Sequence, residues 1–450
     1  MDIRQTINTT PMSAYQWFIV FIAVLLNALD GFDVLAMSFT ANSVSEEFGL
    51  TGSQLGMLLS SALFGMTAGS LIFGPLGDRF GRKNALMVAL LFNVAGLFLS
   101  STAQSAGQLG MWRLLTGVGI GGILACITVV ISEFANNKNR GMAISIYAAG
   151  YGIGASIGGL GAAQLIPVFG WRSVFLAGAI ATAIATVVTF FFLPESVDWL
   201  STRRPARAEE RINIIARRLG KQGTFALAGE QTAAAQKAGA RSYSVLLSKE
   251  NRSTSFTLWA VFFIVMFGFY FANTWTPRLL VETGMSEQQG IIGGLMLSMG
   301  GAFGSLLYGF LTTKFNMRTT LMTFMVLSGA TLILFISSAS VPSIAFAAGV
   351  VVGMLINGCV AGLYTMSPQV YTADVRTTGV GTAIGVGRVG AILAPLLVGN
   401  LLDAGWSPEQ LYIGVAIIVI AGATTLIGLR TKVESGVEKH NAEPANLAAK

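Results

Sequence analysis

Trp17–Phe39 reads WFIVFIAVLLNALDGFDVLAMSF, and Asp30 and Asp33 are the only charges in it. About 20 apolar residues cover the hydrocarbon core of a bilayer, so this run is a membrane-spanning helix. A carboxylate near the centre of such a helix costs roughly 2.5–3.5 kcal/mol on insertion scales. Two of them require a compensating use. The spacing i, i+3 puts both on one helix face, and Gly31 between them loosens the backbone. The alternative is a helix end lying in the outer headgroup region, where acids are cheap. Val34–Phe39 continues the apolar run past the pair and argues against it. The stretch points to a chain that moves a charged solute or protons across a bilayer.

Composition agrees. The 450 residues are 53% hydrophobic and only 11% charged, with 54 glycines and a mean hydropathy of +0.67. Soluble domains carry about 25% charged residues, so this is an integral membrane protein. Cys126 and Cys359 both fall in apolar runs, and no disulfide framework is expected. The single histidine, His440, lies in a polar tail, which removes histidine catalysis and His/Cys metal sites. No nucleophile–base or metal constellation is visible, so neither an enzyme nor a bound cofactor is expected. Met1–Gln16 is polar and the first apolar run is longer than a signal-peptide core, so no cleavable leader is expected either. The net charge of +7 reports topology rather than nucleic-acid binding.

Working outward, apolar runs fall near 17–39, 55–75, 85–103, 109–131, 141–166 and 172–194, then near 255–277, 290–312, 318–338, 342–366, 378–402 and 409–430. This gives a six-span bundle over 1–194, a central loop over 195–254, a second bundle over 255–430 and a tail over 431–450. Arg79, Arg82, Lys83, Lys138, Arg140, Lys314, Arg318, Arg376 and the arginine-rich central loop fall on one side. The opposite loops carry chiefly Glu46, Glu47, Glu282, Glu287, Asp403 and Glu409, with Arg172 and Arg278 near span ends. The positive-inside rule then places both termini and the central loop in the cytoplasm, with the chain in the cytoplasmic membrane. Within the loop, Pro205–Arg218 reads either as a basic amphipathic helix on the membrane surface or as a solvated helix that sets topology. Gly223–Ala240 reads as a linker.

An internal repeat supports the division. Gly74-Pro-Leu-Gly-Asp-Arg-Phe-Gly-Arg-Lys83 follows the second run, and Gly309-Phe-Leu-Thr-Thr-Lys-Phe-Asn-Met-Arg318 follows the eighth (309 − 74 = 235). Arg140 and Arg376 open the fifth and eleventh runs at nearly the same offset (376 − 140 = 236). Two landmarks at one offset indicate duplication.

The decapeptide Gly74–Lys83 resembles the G-x-L-x-D-R-x-G-R-[KR] loop of the major facilitator superfamily; the second copy departs from it, with Thr313 in the acidic position. Arg113–Gly122 resembles the R-x-x-x-G-x-G-x-G motif of the fourth span, and Pro194-Glu195-Ser196 the close of the sixth. Within the superfamily, Asp30-Gly-Phe-Asp33 resembles the D-G-x-D motif of the aromatic acid:proton symporters. Gly387–Leu393 is similar to that family's G-R-x-G-A-I-L stretch, and Gln5–Trp17 to its lead-in. The resemblance implies an all-α major facilitator fold, with twelve transmembrane helices in two six-helix bundles rocking about a central cavity. It also implies proton-driven uptake of benzoate-type or related ring-cleavage acids. The expected partners are a small anionic aromatic or organic acid, protons as coupling ion and membrane lipid, with no nucleic acid and a functional monomer.

Particular residues follow. At 1.5 Å per residue, Asp33 lies roughly 24 Å along the first span and Arg113 roughly 6 Å below the outer edge on the fourth, which is a similar depth in a core of about 30 Å. They are expected to pair, either in the transport path or as a static packing tie. Arg388, about ten residues into the eleventh run, has no obvious acidic partner in the second half. An anionic substrate would supply the charge, and a guanidinium fork suits a carboxylate. Backbone carbonyls or snorkelling are the alternatives. Asp30 and Asp33 oppose each other's ionisation, which favours retention of a proton and suits proton coupling. Phe267, Phe269, Tyr270, Phe271 and Trp275 crowd the seventh run, and Tyr147 and Tyr151 share a face of the fifth. From these groups Tyr151, Trp275 and the intramembrane Asn273 are taken as substrate contacts beside Arg388 and Arg113; helix packing or interfacial anchoring is the alternative for each. Asp78, Arg79, Arg82, Glu133 and Arg140 are expected to form an ionic gate at the inner ends, with Asp78–Arg140–Glu133 as the latch that holds the outward-open state. An inert surface cluster is the other reading. Rival functions are a proton-driven efflux antiporter, a sugar-type porter, for which neutral Asn/Gln would be expected instead of a midplane arginine, and a transporter-like sensor.

Overall fold

A computed structural model describes residues 3–220, 246–248, 252–371 and 376–428; the expected linker 223–240 and the tail 431–450 lie outside them. Among the described residues, twelve helices are long and apolar enough to cross a membrane. In chain order the first group is α1 (Ile3–Thr9), α2 (Ala14–Phe39), α3 (Ala41–Phe48), α4 (Gly52–Phe80), α5 (Arg82–Ser101), α6 (Ala106–Phe134), α7 (Arg140–Phe169), α8 (Arg172–Phe192), α9 (Val197–Arg203) and α10 (Ala208–Arg218). The second is α11 (Arg252–Glu282), α12 (Glu287–Leu311), α13 (Met317–Ser337), α14 (Pro342–Val370), α15 (Arg376–Asp403) and α16 (Pro408–Thr425). The spans are α2, α4–α8 and α11–α16. Sequence reading found all twelve but not the short α1, α3 and α9.

Polar residues set the ends. Ser13 with Gln16, Thr51 with Gln54 and Ser407 with Gln410 form reciprocal capping boxes that open α2, α4 and α16. Each satisfies two backbone donors that an apolar surrounding would leave unpaired. Gly49 ends α3 in the left-handed conformation.

The chain divides into two compact units. One holds 1–232 with 286–295, the other 233–285 with 296–450. In the first, α4 lies directly on α6: a Cβ on Gly65, Gly69, Gly117 or Gly121 would overlap a backbone carbonyl of the facing helix. The same unit takes in the start of α12, where the Ser43 hydroxyl donates to Glu287 Oε1 at 2.5 Å. In the second unit α12 lies on α14 through Gly300, Gly304 and Gly353, and α11 meets α15 at Gly390. These contacts repeat the spacing of the sequence landmarks: Gly65 to Gly300 and Gly69 to Gly304 are 235 residues, Gly117 to Gly353 and Gly154 to Gly390 are 236. In lipid, where little hydrophobic drive separates one apolar helix from another, close backbone approach at small residues holds helices together. The duplicated element is therefore a packing scaffold.

Candidate functional site

The Asp30–Asp33 turn is built by close packing. A Cβ on Gly31 would overlap the Tyr151 carbonyl oxygen, so α2 and α7 touch there through backbone. Phe32 points its ring at Gly158 of α7 and Gly178 of α8. Gly31 is thus required for contact as well as for local freedom. Both carboxylates are buried, Asp30 at 2% and Asp33 at 1% exposure. Their surroundings differ sharply.

Asp33 is fully engaged. Arg113 Nη1 reaches its Oδ1 at 2.5 Å, Arg113 Nη2 donates to its backbone oxygen at 2.8 Å, and Asn93 Nδ2 donates to Oδ2 at 3.0 Å. Arg113 is completely enclosed and stacks over the Phe175 ring at 5.5 Å. The depth estimate from the sequence therefore located a real pair. Asp30 has no such cation: its Oδ2 is buried without a hydrogen-bond partner among the described residues, as is the Tyr147 hydroxyl with which Asp30 interacts electrostatically. Asn27, one turn before Asp30, donates to the Tyr147 carbonyl at 2.6 Å and fixes α7 against this turn. Burying an isolated carboxylate in an apolar surrounding is costly, and at Asp33 the guanidinium and the amide offset part of that cost with charge-assisted hydrogen bonds. One turn of helix thus carries one acid held by a cation and one with a buried oxygen that has no hydrogen-bond partner among the described residues.

The expected latch is not assembled. Asp78 pairs with Arg82 on the next turn, Arg140 Nη2 donates to Asn8 Oδ1 at 3.0 Å, and Glu133 is hydrogen-bonded to the Ser196 hydroxyl. Asp78, Arg140 and Glu133 form no ion pair with one another among the described residues. Arg79 lies over the Phe80 ring at 5.1 Å. The physical reason is local supply. Asp78 finds a cation four residues away, the cheapest partner on a helix, and the amino-terminal segment fills the space beside α6 and α7. There Arg4 donates to the Glu133 and Ser132 carbonyls and pairs with Asp198 at 3.6 Å, while Ile3 and Ile7 are buried in the apolar core. Ile3 and Ile7 at i, i+4 were the readable trace of α1. Glu195 organises the Gly74–Lys83 loop instead: its Oε1 accepts from the Lys83 backbone N–H at 2.9 Å, and a Cβ on Gly81 would overlap its carboxylate. Gly81 also has φ +104, a conformation that favours glycine.

In the second unit Arg388 is half-buried and forms no ion pair among the described residues. Its neighbours Gly387 and Gly390 lie against Phe262, Phe263 and Met266 of α11. Tyr270 of α11 and Tyr364 of α14 both interact electrostatically with Arg388. The sequence reading passed over Tyr364 and named Tyr270 only as one of an aromatic crowd. Of the other expected contacts, Trp275 is completely buried with an unpartnered indole N–H. Asn273 donates to the Phe269 carbonyl at 2.8 Å, and Tyr151 is half-buried with its backbone against Gly31.

Against known proteins, the model of one family matches residues 17–305 and 288–449; its description is Major Facilitator Superfamily. The chain belongs to that superfamily. It is a transporter rather than an enzyme. The 4-hydroxybenzoate transporter PcaK of Pseudomonas aeruginosa is 31% identical, with 97% of this chain and 98% of that protein covered. A gallate transporter of Pseudomonas putida is 31% identical over 95% and 94%, and a benzoate transport protein of Acinetobacter baylyi 25% identical over 95% and 92%. Among solved structures, a D-xylose–proton symporter superposes with a TM-score of 0.72 at 16% identity, covering 92% of this chain and 98% of its own. At that identity the likeness shows the fold alone. In this superfamily member, then, two features stand apart in the chain: an acid pair of which Asp33 alone is ion-paired among the described residues, and an intramembrane arginine, Arg388, with no ion pair among them.

Proposed function

We propose that this transporter imports an aromatic, benzoate-type or related organic carboxylate together with protons, by alternating access. It would act as a monomer in the cytoplasmic membrane with both termini inside. The observation that carries the reading is the division between Asp33, held by Arg113 and Asn93, and Asp30, whose buried Oδ2 has no partner. In this reading Asp30 takes the coupling proton. The Asp33–Arg113 pair holds α2 on α6 and keeps a fixed charge close to Asp30. Arg388 grips the substrate carboxylate, which neutralises an intramembrane guanidinium that is otherwise costly. Relatives named for 4-hydroxybenzoate, gallate and benzoate support the substrate class. A sugar-type porter would have no need of that arginine.

The test is uptake by purified protein in vesicles. Labelled benzoate, 4-hydroxybenzoate, gallate, an aliphatic dicarboxylate and xylose are offered with and without an inwardly directed proton gradient. Accumulation of one or more ring acids above equilibrium, only with the gradient, is expected. Accumulation of xylose alone, or expulsion of ring acids driven by an inward proton gradient, would replace this reading by the sugar porter or the antiporter.

A further inference from the structure

Arg388 offers a planar fork that fills two of the roughly four lone-pair positions of a carboxylate. What fills the remainder decides how tightly the acid is held, since an unfilled position in an apolar surrounding is costly. Two phenol hydroxyls stand near. Both lie in the neighbourhood of Arg388: Met266, one turn before Tyr270 on α11, touches Gly387 beside it, and both tyrosines interact electrostatically with the guanidinium. The rings are held in place by aromatic neighbours. Phe262 meets Tyr364 edge-on at 6.0 Å and Phe269 meets Tyr270 edge-on at 5.2 Å. Phe262 is itself pressed against Gly387, one residue from Arg388. Tyr364 as a residue is 45% exposed. Neither hydroxyl has a hydrogen-bond partner among the described residues; the other tyrosines of this unit, Tyr308, Tyr371 and Tyr412, each have one. A tyrosine in an apolar span normally finds a partner for its O–H. Two tyrosines that lack one among the described residues, near an arginine that forms no ion pair among them, have the composition of a carboxylate site.

We propose that Tyr270 and Tyr364 complete the carboxylate grip, each donating its hydroxyl to the substrate oxygens that Arg388 leaves open. The grip favours a planar carboxylate over the corresponding amide, whose NH2 would set donors against the donor-only guanidinium. This rests on the reading of Arg388 as the anchor. It adds that the tyrosines read the carboxylate and not the substituents on the ring.

Binding of benzoate and of 4-hydroxybenzoate in detergent tests it, using the full chain, Tyr270→Phe, Tyr364→Phe, the double variant and Arg388→Lys, with thermal unfolding as the check on folding. Each single Phe variant should weaken both acids about tenfold and by equal factors, because only the shared carboxylate is concerned. The double variant should approach the loss seen in Arg388→Lys. If Arg388→Lys weakens binding while both Phe variants bind as the parent does, the anchor stands and the grip is wrong. Loss confined to 4-hydroxybenzoate would assign the tyrosines to the ring hydroxyl and overturn the grip equally. Undiminished binding by Arg388→Lys, or no binding of either acid by the parent protein, removes the anchor itself.

Discussion

The two units share a scaffold and differ in charge. Gly65, Gly69, Gly117 and Gly154 of the first have counterparts at Gly300, Gly304, Gly353 and Gly390 of the second, and all eight sit where a Cβ would strike the facing backbone. At the same offsets, Asp30, Asp33 and Arg113 correspond to Val265, Gly268 and Gly349, while Arg388 corresponds to Gly152. Duplication kept the helix contacts and divided the chemistry. Among the described residues, the first unit holds the intramembrane Asp33–Arg113 pair and the acid Asp30 without a cation, the second the intramembrane Arg388 without an ion pair. A transporter that couples a proton to an anion needs both devices but has no need of both in each half.

The largest expected effect tests whether the ion pair of the first unit is structural. Removing one member leaves a charge buried and unpaired, which costs about 3–5 kcal/mol. Asp33→Ala should therefore lower thermal stability in detergent severely. The double variant Asp33→Leu/Arg113→Met should recover most of it, because an apolar pair replaces the ionic one at little net cost. A double variant no better than the single would show that the pair acts through more than mutual neutralisation.

Arg388→Lys in the second unit should leave stability nearly unchanged, because no protein group depends on the guanidinium for its charge. Carboxylate binding should fall by about ten- to hundredfold, the equivalent of losing one charge-assisted hydrogen bond of roughly 1.5–3 kcal/mol. Equal loss of stability would move Arg388 from ligand grip to packing.

The shared scaffold is tested by matched substitutions. Gly117→Ala would place its methyl group against the Ala62 carbonyl and Gly353→Ala against the Leu297 carbonyl. Overpacking costs about 1–3 kcal/mol, and the two variants should lose similar amounts. A large difference in their unfolding temperatures would mean that the repeat is retained in sequence but not in energetics.

The smallest effect lies outside the spans. Arg172 and the Trp171 indole N–H hold the Glu47 carboxylate, and the Arg172 bond lowers its pKa below the ordinary carboxylate range. A depressed folded-state pKa contributes stability above the unfolded value and loses it as pH falls through the folded one. Glu47→Gln should cost about 1 kcal/mol or less at neutral pH, since the group is solvent-exposed. The cost should shrink toward zero at acid pH. A cost that persists there would point to the Trp171 bond rather than to charge.

What was legible in the sequence was periodic or costly. Twelve apolar runs, the repeat and the Asp33–Arg113 pair follow from length, offset and depth, because charges in a bilayer must find partners at their own level. The expected latch is not assembled in this conformation, because charges at a helix end have many suitors. Asp78 took Arg82 four residues away, and Arg140 took Asn8, a neutral side chain that counting charges cannot flag. Glu195 was read as the close of a span, yet its carboxylate is what Gly81 makes room for. Tyr364 left no trace, because its relation to Arg388 depends on how α14 and α15 pack, and no periodicity encodes that.

The central claim is that Asp30, not Asp33, carries the coupling proton. It is tested by Asp30→Asn in vesicles, assayed two ways: exchange of labelled for unlabelled substrate at equal pH, and accumulation driven by an inward proton gradient. An amide mimics the protonated acid, so exchange should continue at near the parent rate while gradient-driven accumulation disappears. Accumulation equal to that of the parent protein, with exchange intact, would contradict the account.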